Sequence, residues 1–315
     1  MNKLILIPII IGASLTVAGG VIFGLAIANK SKVEPVTNTY DLNESFTNFN
    51  INTSISNVIF EVSTDGSKKV VCKETDKQYH DVKVVNDELQ INFVDETKWY
   101  ERIFNFDFFN REVRIYLPAE TYGDLNIKAS TGEVNIPTGF TFANIEAKVS
   151  TGDVSIVANV TNKIKVNSST GDIKLANNTV KELELKASTG NVTLSDVTVN
   201  ENVTINLSTG HINATNLQAE NLTINTSTGY ISLKKSIVNK HLEIKTDTGD
   251  VKFDEFDAET MNIRTDTGDV KGSLLTSKIF YVTSKTGKTN YPHTTTGGVC
   301  EIKTDTGDVV LTIKE

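Results

Sequence analysis

A Thr-Gly pair returns every 19 or 20 residues through the last two thirds of this chain, and no other feature limits the fold as strongly. The glycines are Gly132, Gly152, Gly171, Gly190, Gly210, Gly229, Gly249, Gly268, Gly287 and Gly307. Ser precedes Thr-Gly in the first six; Asp247, Asp266 and Asp305 take that place in three others, and Lys285 in the ninth. Ten occurrences at so narrow a period define a repeat array, in which each unit is too small to close its own core and must stack on its neighbours.

The columns around the glycine say what a unit is. Seven residues earlier stand Leu125, Ile145, Ile164, Leu183, Val203, Leu222, Leu242, Met261, Phe280 and Cys300. Five earlier come residues such as Ile127, Val166, Ile205 and Ile302, and two after it Val134, Val154, Ile173 and their equivalents, with Thr289 the polar exception. Polar residues fill the positions between. Alternation of period two on both sides of the glycine gives two short strands per unit, each with one buried face. A further apolar residue recurs seven to nine positions past most glycines (Phe140, Val160, Val180, Val197, Leu217, Ile237 and Phe256) and is expected to be a third inward anchor. Residues 121–315 therefore read as a parallel β-solenoid, or β-helix, of about ten coils of 19–20 residues. At about 4.8 Å per coil the rod is roughly 45–50 Å long. The glycine marks a corner that needs positive φ.

Two other regions precede the array. Residues 33–120 hold short strand-like runs (Val58–Phe60, Val70–Cys72, Val82–Val84, Leu89–Phe93 and Val113–Leu117) and are expected to form a β-rich cap over the first coil. Residues 1–32 contain Leu4–Ala28, an uncharged run of 25 mostly apolar residues. About 20 suffice to span a bilayer, so the expectation is one N-terminal transmembrane helix, with the lipid bilayer contacted through residues 4–28. The competing reading is a cleaved signal peptide, for which Ala26-Ile27-Ala28 supplies a small-residue pattern. A single-pass protein of the cell membrane with its bulk extracytoplasmic is expected, the orientation resting on the acidic remainder of the chain, since Lys3 opposes Lys30 and Lys32.

Composition excludes some functions. With 31 Lys plus Arg against 39 Asp plus Glu the net charge is −8, which disfavours a nucleic-acid partner. The two cysteines, Cys72 and Cys300, form neither a disulfide framework nor a CxxC motif, and each reads as a small buried hydrophobe. His80, His211, His241 and His293 show no metal-ligand spacing among themselves, and no nucleophile, phosphate-loop or dinucleotide motif occurs. No cofactor, no metal and no catalytic residue is therefore expected. The acids beside Thr-Gly (Asp247, Asp250, Asp266, Asp269, Asp305, Asp308) could stack into a calcium site. Lys285 and Lys288 of the ninth coil are expected between acidic coils, however, and favour a compensated charge ladder. Trp99, Tyr100, Phe104, Phe106, Phe108 and Phe109 place six aromatics in eleven positions. They are the candidate binding surface for an envelope protein, peptide or glycan, against the alternative of a plug over the solenoid end.

The run Ser150–Val154, its Asp variant Asp266–Val270, and the Leu117-Pro118 step before Leu125-Asn126-Ile127 resemble the bacterial β-strand-repeat domains of unknown function described as candidate adhesins. The resemblance spans roughly residues 45–315 and implies a solenoid at the cell envelope, with relatives among membrane-anchored envelope-stress proteins. Its motif is structural and carries no catalytic residue. The expected function is non-enzymatic: adhesin-like binding or envelope-stress sensing. The alternative is a carbohydrate-active enzyme on the same scaffold.

Overall fold

A computed structural model of the chain describes residues 34–99 and 110–314. The apolar run 4–28 lies outside them, and among the described residues no helix is long and apolar enough to cross a membrane. Every element of the rod is a strand, and the strands form the expected parallel solenoid. Each coil lays a long strand on one sheet and a short strand on the other. In coil one these are Thr121–Thr131 and Val134–Ile136. Equivalent positions pair in register, so Ile127, Ala147, Val166, Leu185 and Ile205 form one buried column.

The Thr-Gly corner has two requirements. Gly210 has φ +140°, and its N–H donates to Thr228 O at 2.9 Å in the next coil. A Cβ there would sit 1.8 Å from Gly190 O. Glycine is needed for the close approach of one backbone to the next as well as for φ. At the opposite corner, non-glycine residues take the left-handed conformation: Asn177, Asp196, Asn216, Lys235 and Glu255, with φ between 48° and 56°. The residue after each turns inward. For that reason Ile237, expected as a core anchor, is 42% exposed, while Ser236 is buried. Ser236 Oγ accepts from Leu217 N–H at 3.1 Å and donates to Lys234 O at 2.9 Å.

The N-terminal strands are β1 (Val36–Asp41), β2 (Asn48–Thr53), β3 (Ser56–Val62), β4 (Lys69–Glu74), β5 (Gln78–Val85), β6 (Glu88–Asp95) and β7 (Arg111–Leu117). β2 pairs in parallel with the long strand of coil one, and β3 with its short strand. β6 and β7 pair in parallel with the far sides of β2 and β3. The stack then closes with antiparallel strands, β5 on β6, and β4 followed by β1 on β7. Phe49, Phe60, Tyr122, Phe140 and Phe142 fill the core at this junction, with the Phe49 and Phe142 rings 5.8 Å apart. Cys72 and Cys300 are both buried and unbridged, and burial pushes the Cys300 thiol up to about 12.

The far end departs from the order read in the sequence. Coil ten (Gly298–Thr306 and Val309–Ile313) pairs directly with coil eight, through Ile263↔Ile302 and Val270↔Val309. Coil nine (Lys278–Thr286 and Thr289–Asn290) pairs with the other side of coil ten and is outermost. The reason is in the inward residues. Coil ten offers Cys300, Ile302, Val309 and Leu311 to two neighbours, whereas coil nine has Thr289 in the valine column and can face solvent. Leu311, in the last coil of the sequence, is 2% exposed. The Tyr291-Pro292-His293 segment folds back so that Tyr291 covers Phe280, with the rings 5.6 Å apart.

Candidate functional site

The acidic corners form a hydrogen-bonded lane. Asp250 Oδ1 accepts the N–H of Asp269 at 2.8 Å, Asp269 Oδ1 that of Asp308 at 2.7 Å, and Asp308 Oδ1 that of Lys288 at 2.9 Å. The same bond links Asp153 to Asp172, Asp172 to Asn191, and Asn191 to His211. A side chain after the glycine therefore satisfies a corner N–H one coil away, which explains the Asp or Asn at this position. The ladder expected with lysines between acidic coils is corrected by the coil order: the three acidic coils are consecutive and Lys288 ends the lane. Compensation comes from Lys271 within the acidic coils and from Lys285 at their outer edge. The Lys271 ammonium and the Asp308 N–H hold the Asp269 carboxyl below its ordinary range, and Lys285 Nζ lies 2.8 Å from Asp305 Oδ1.

The long-strand sheet carries a different surface. Its outward column four residues before each glycine reads Lys128, Lys148, Asn167, Lys186, in register and one coil apart. The column two residues before the glycine is a run of exposed serines, Ser130, Ser150, Ser169 and Ser188. The two columns border an open groove of about 490 Å³. Lys148 pairs with Glu146 at 2.8 Å, whereas Lys128 and Lys186 make no ion pair among the described residues. Stacking Lys128 on Lys148, about 4.8 Å away, places like charges on adjacent strands. Hydroxyls and ammonium groups on a rigid sheet can donate to anionic oxygens along the rod axis.

A second cleft, of about 520 Å³, opens where coil nine leaves the stack, bordered by Val238, Asp257, Thr276, Lys278 and Gly298. Lys278 is buried there with Nζ 2.7 Å from Asp257 Oδ1. This ion pair anchors the start of the displaced coil.

The N-terminal end holds a polar cluster that spacing did not reveal. Glu74 and His80 are fully buried on β4 and β5, with Glu74 Oε2 2.9 Å from His80 Nδ1 and 2.8 Å from the His80 N–H. Asn38 Nδ2 donates to Glu74 Oε1 at 2.6 Å. His80 Nε2 lies 3.3 Å from Ser56 Oγ and 3.5 Å from Thr53 Oγ1. Burial pushes the Glu74 carboxyl up, but the donors of His80 and Asn38 outweigh it and hold the group below its ordinary value. Burial, helped by Glu74, pushes the Cys72 thiol up. Ser56, His80 and Glu74 line up as nucleophile, base and orienting carboxylate do, but Ser56 has no exposed surface and can reach no substrate. A sequence signal existed in hindsight: Cys72, Glu74 and His80 each fall on the inward face of a strand where an apolar residue belongs.

Of the aromatic candidates, Trp99 is 74% exposed. Tyr100, Phe104, Phe106, Phe108 and Phe109 lie outside the described residues.

The family described as Toastrack DUF4097 matches residues 46–236 and again 200–315. Among curated proteins none matches this chain. Similar solved structures include a candidate adhesin from Bacteroides fragilis, 16% identical over 90% of this chain and 98% of that one, with a TM-score of 0.45. A candidate adhesin from Parabacteroides distasonis is 12% identical over 87% and 98%, with a TM-score of 0.47. A candidate lipid-binding protein from the same organism is 16% identical over 88% and 96%, also with a TM-score of 0.47.

Proposed function

This chain belongs to the Toastrack DUF4097 family, and on that premise we propose that it is a non-catalytic, adhesin-like binding protein of the cell envelope. Residues 4–28 hold it in a membrane, and the solenoid stands outside with its basic groove turned to an extended anionic glycan. The observation that carries this reading is the groove along Lys128, Lys148 and Lys186 with its serine border. On a chain of net charge −8, Lys128, Lys148 and Lys186 gather positive charge on one face, with Lys148 alone of the three in an ion pair among the described residues. A rigid sheet loses little conformational freedom on binding, so weak contacts repeated along the axis add.

The test is binding of the full chain, in detergent or nanodiscs, to an immobilised polyuronate and to neutral dextran. The Lys128→Glu/Lys186→Glu variant alters two outward side chains and should keep the fold while weakening polyuronate binding at least tenfold. Wild-type binding should fall steeply with salt. Equal binding of dextran, or an unchanged affinity in the double variant, would refute the groove as the binding face.

A further inference from the structure

The turn Thr75–Gln78 carries the chain from β4 on one sheet to β5 on the other, closed by the Thr75 N–H to Gln78 O bond of 3.0 Å. Across that turn three inward side chains converge. The Cys72 thiol, a Glu74 carboxylate oxygen and a His80 ring nitrogen all lie within 4.8 Å of one another, and all three residues are buried. We propose that Cys72, Glu74 and His80 form a zinc site that joins the two sheets at the N-terminal end of the rod.

The donor set is one sulfur, one nitrogen and one oxygen, the ligands zinc takes most readily. Bonds of about 2.0–2.3 Å in a tetrahedron place donors about 3.3–3.8 Å apart. The His80 Nδ1–Glu74 Oε2 contact of 2.9 Å has only a few tenths of an ångström to open, and the thiol closes from within 4.8 Å. Two of the three ligands, His80 and Glu74, already have outer partners. Ser56 Oγ faces His80 Nε2, and Asn38 and the Tyr40 hydroxyl face Glu74 Oε1, at 2.6 and 3.4 Å. Such partners fix ligand orientation and tautomer in metal sites.

The charges and protons balance. Loading releases the Cys72 proton to solvent; His80 binds through Nδ1 and keeps one ring proton on Nε2, from which it donates a hydrogen bond to Ser56 Oγ. Thiolate and carboxylate then neutralise the ion, leaving an uncharged unit in a buried place. No electron is transferred. Three protein ligands leave one position of the tetrahedron open. Because the ligands are buried, the ion enters as the cap folds or opens locally.

Cobalt(II) is the probe. The full chain, stripped with a chelator, is titrated with Co²⁺ both when folded and during refolding. One equivalent should bind with a thiolate-to-cobalt charge-transfer band, and zinc should displace it. Cys72→Ser, nearly isosteric, should abolish the band, and Cys300→Ser should keep it. His80→Ala can loosen the cap, so it is read only beside Cys72→Ser. Absence of the band in the wild type under both protocols, with the β-sheet circular dichroism intact, would overturn the site. So would a band that survives Cys72→Ser.

Discussion

At the scale of single residues, the two corners of each coil answer opposite demands on the side chain. Gly210→Ala puts a methyl where the preceding coil's carbonyl already is, and the expected loss is about 3 kcal/mol, read from a denaturant midpoint. Lys235 sits at φ 48° with its N–H donating to Asp254 O, so Lys235→Gly removes strain without removing a bond. It should raise stability by about 1 kcal/mol in the same measurement. Asp269 tests the lane. Asp269→Ala strips the acceptor from the Asp308 N–H and should cost about 1 kcal/mol. Asp269→Asn keeps it, as Asn191 does for His211, and at pH 7 should cost less than Asp269→Ala, losing the pairing with Lys271 but not the corner bond. The sign with pH follows from the depressed carboxyl. Its contribution is fully present above the ordinary Asp value of about 3.9 and is lost as pH falls through the lower folded value. The acid slope of stability should therefore be shallower in Asp269→Asn than in wild type, and equal slopes would deny the lane this part in acid unfolding.

At the scale of elements, the strands were readable because period-two alternation and a fixed glycine column leave little else for these residues to do. Leu125, Ile127 and Val134 lie in the core as the columns imply. Ile237 lies outward because Ser236, not the apolar residue, follows the left-handed corner, and apolarity alone does not mark that position. The order of the last coils was not legible either. Chain order suggests stacking order, and only the match of each inward face to both neighbours decides otherwise. Of the candidate surface, the lysine and serine columns fall among the polar positions between the apolar columns, where residue type alone does not separate a binding face from a solvated one. The buried cluster of Cys72, Glu74 and His80 needs two sheets to bring it together, which no spacing rule encodes. Leu311 tests the revised order. On an outermost coil Leu311→Asp would be tolerated; between coils eight and nine it should cost about 3 kcal/mol or more. Hydrogen exchange should then rise across residues 275–314 while coils one to six stay protected.

For the whole molecule, a stacked rod is held by nearest-neighbour contacts, so its weak points are its ends. Both ends of this rod are built the same way. At one, β2 and β3 lie between coil one and the later strands β6 and β7. At the other, coil ten lies between coil eight and the earlier coil nine. Each outermost parallel turn is thus chain interior, tethered on both sides, and cannot peel away as a free terminus does. The same order matters while the protein is being made. As the chain leaves the ribosome, coils two to eight can each settle on the one before it as soon as they emerge. Coil nine arrives next and finds the place beside coil eight reserved for residues not yet translated. It must wait one coil's width away, or dock wrongly and be displaced, until coil ten follows. The stacking order lets growth of the rod follow translation through coil eight, whereas coil nine can take its place only after coil ten has arrived.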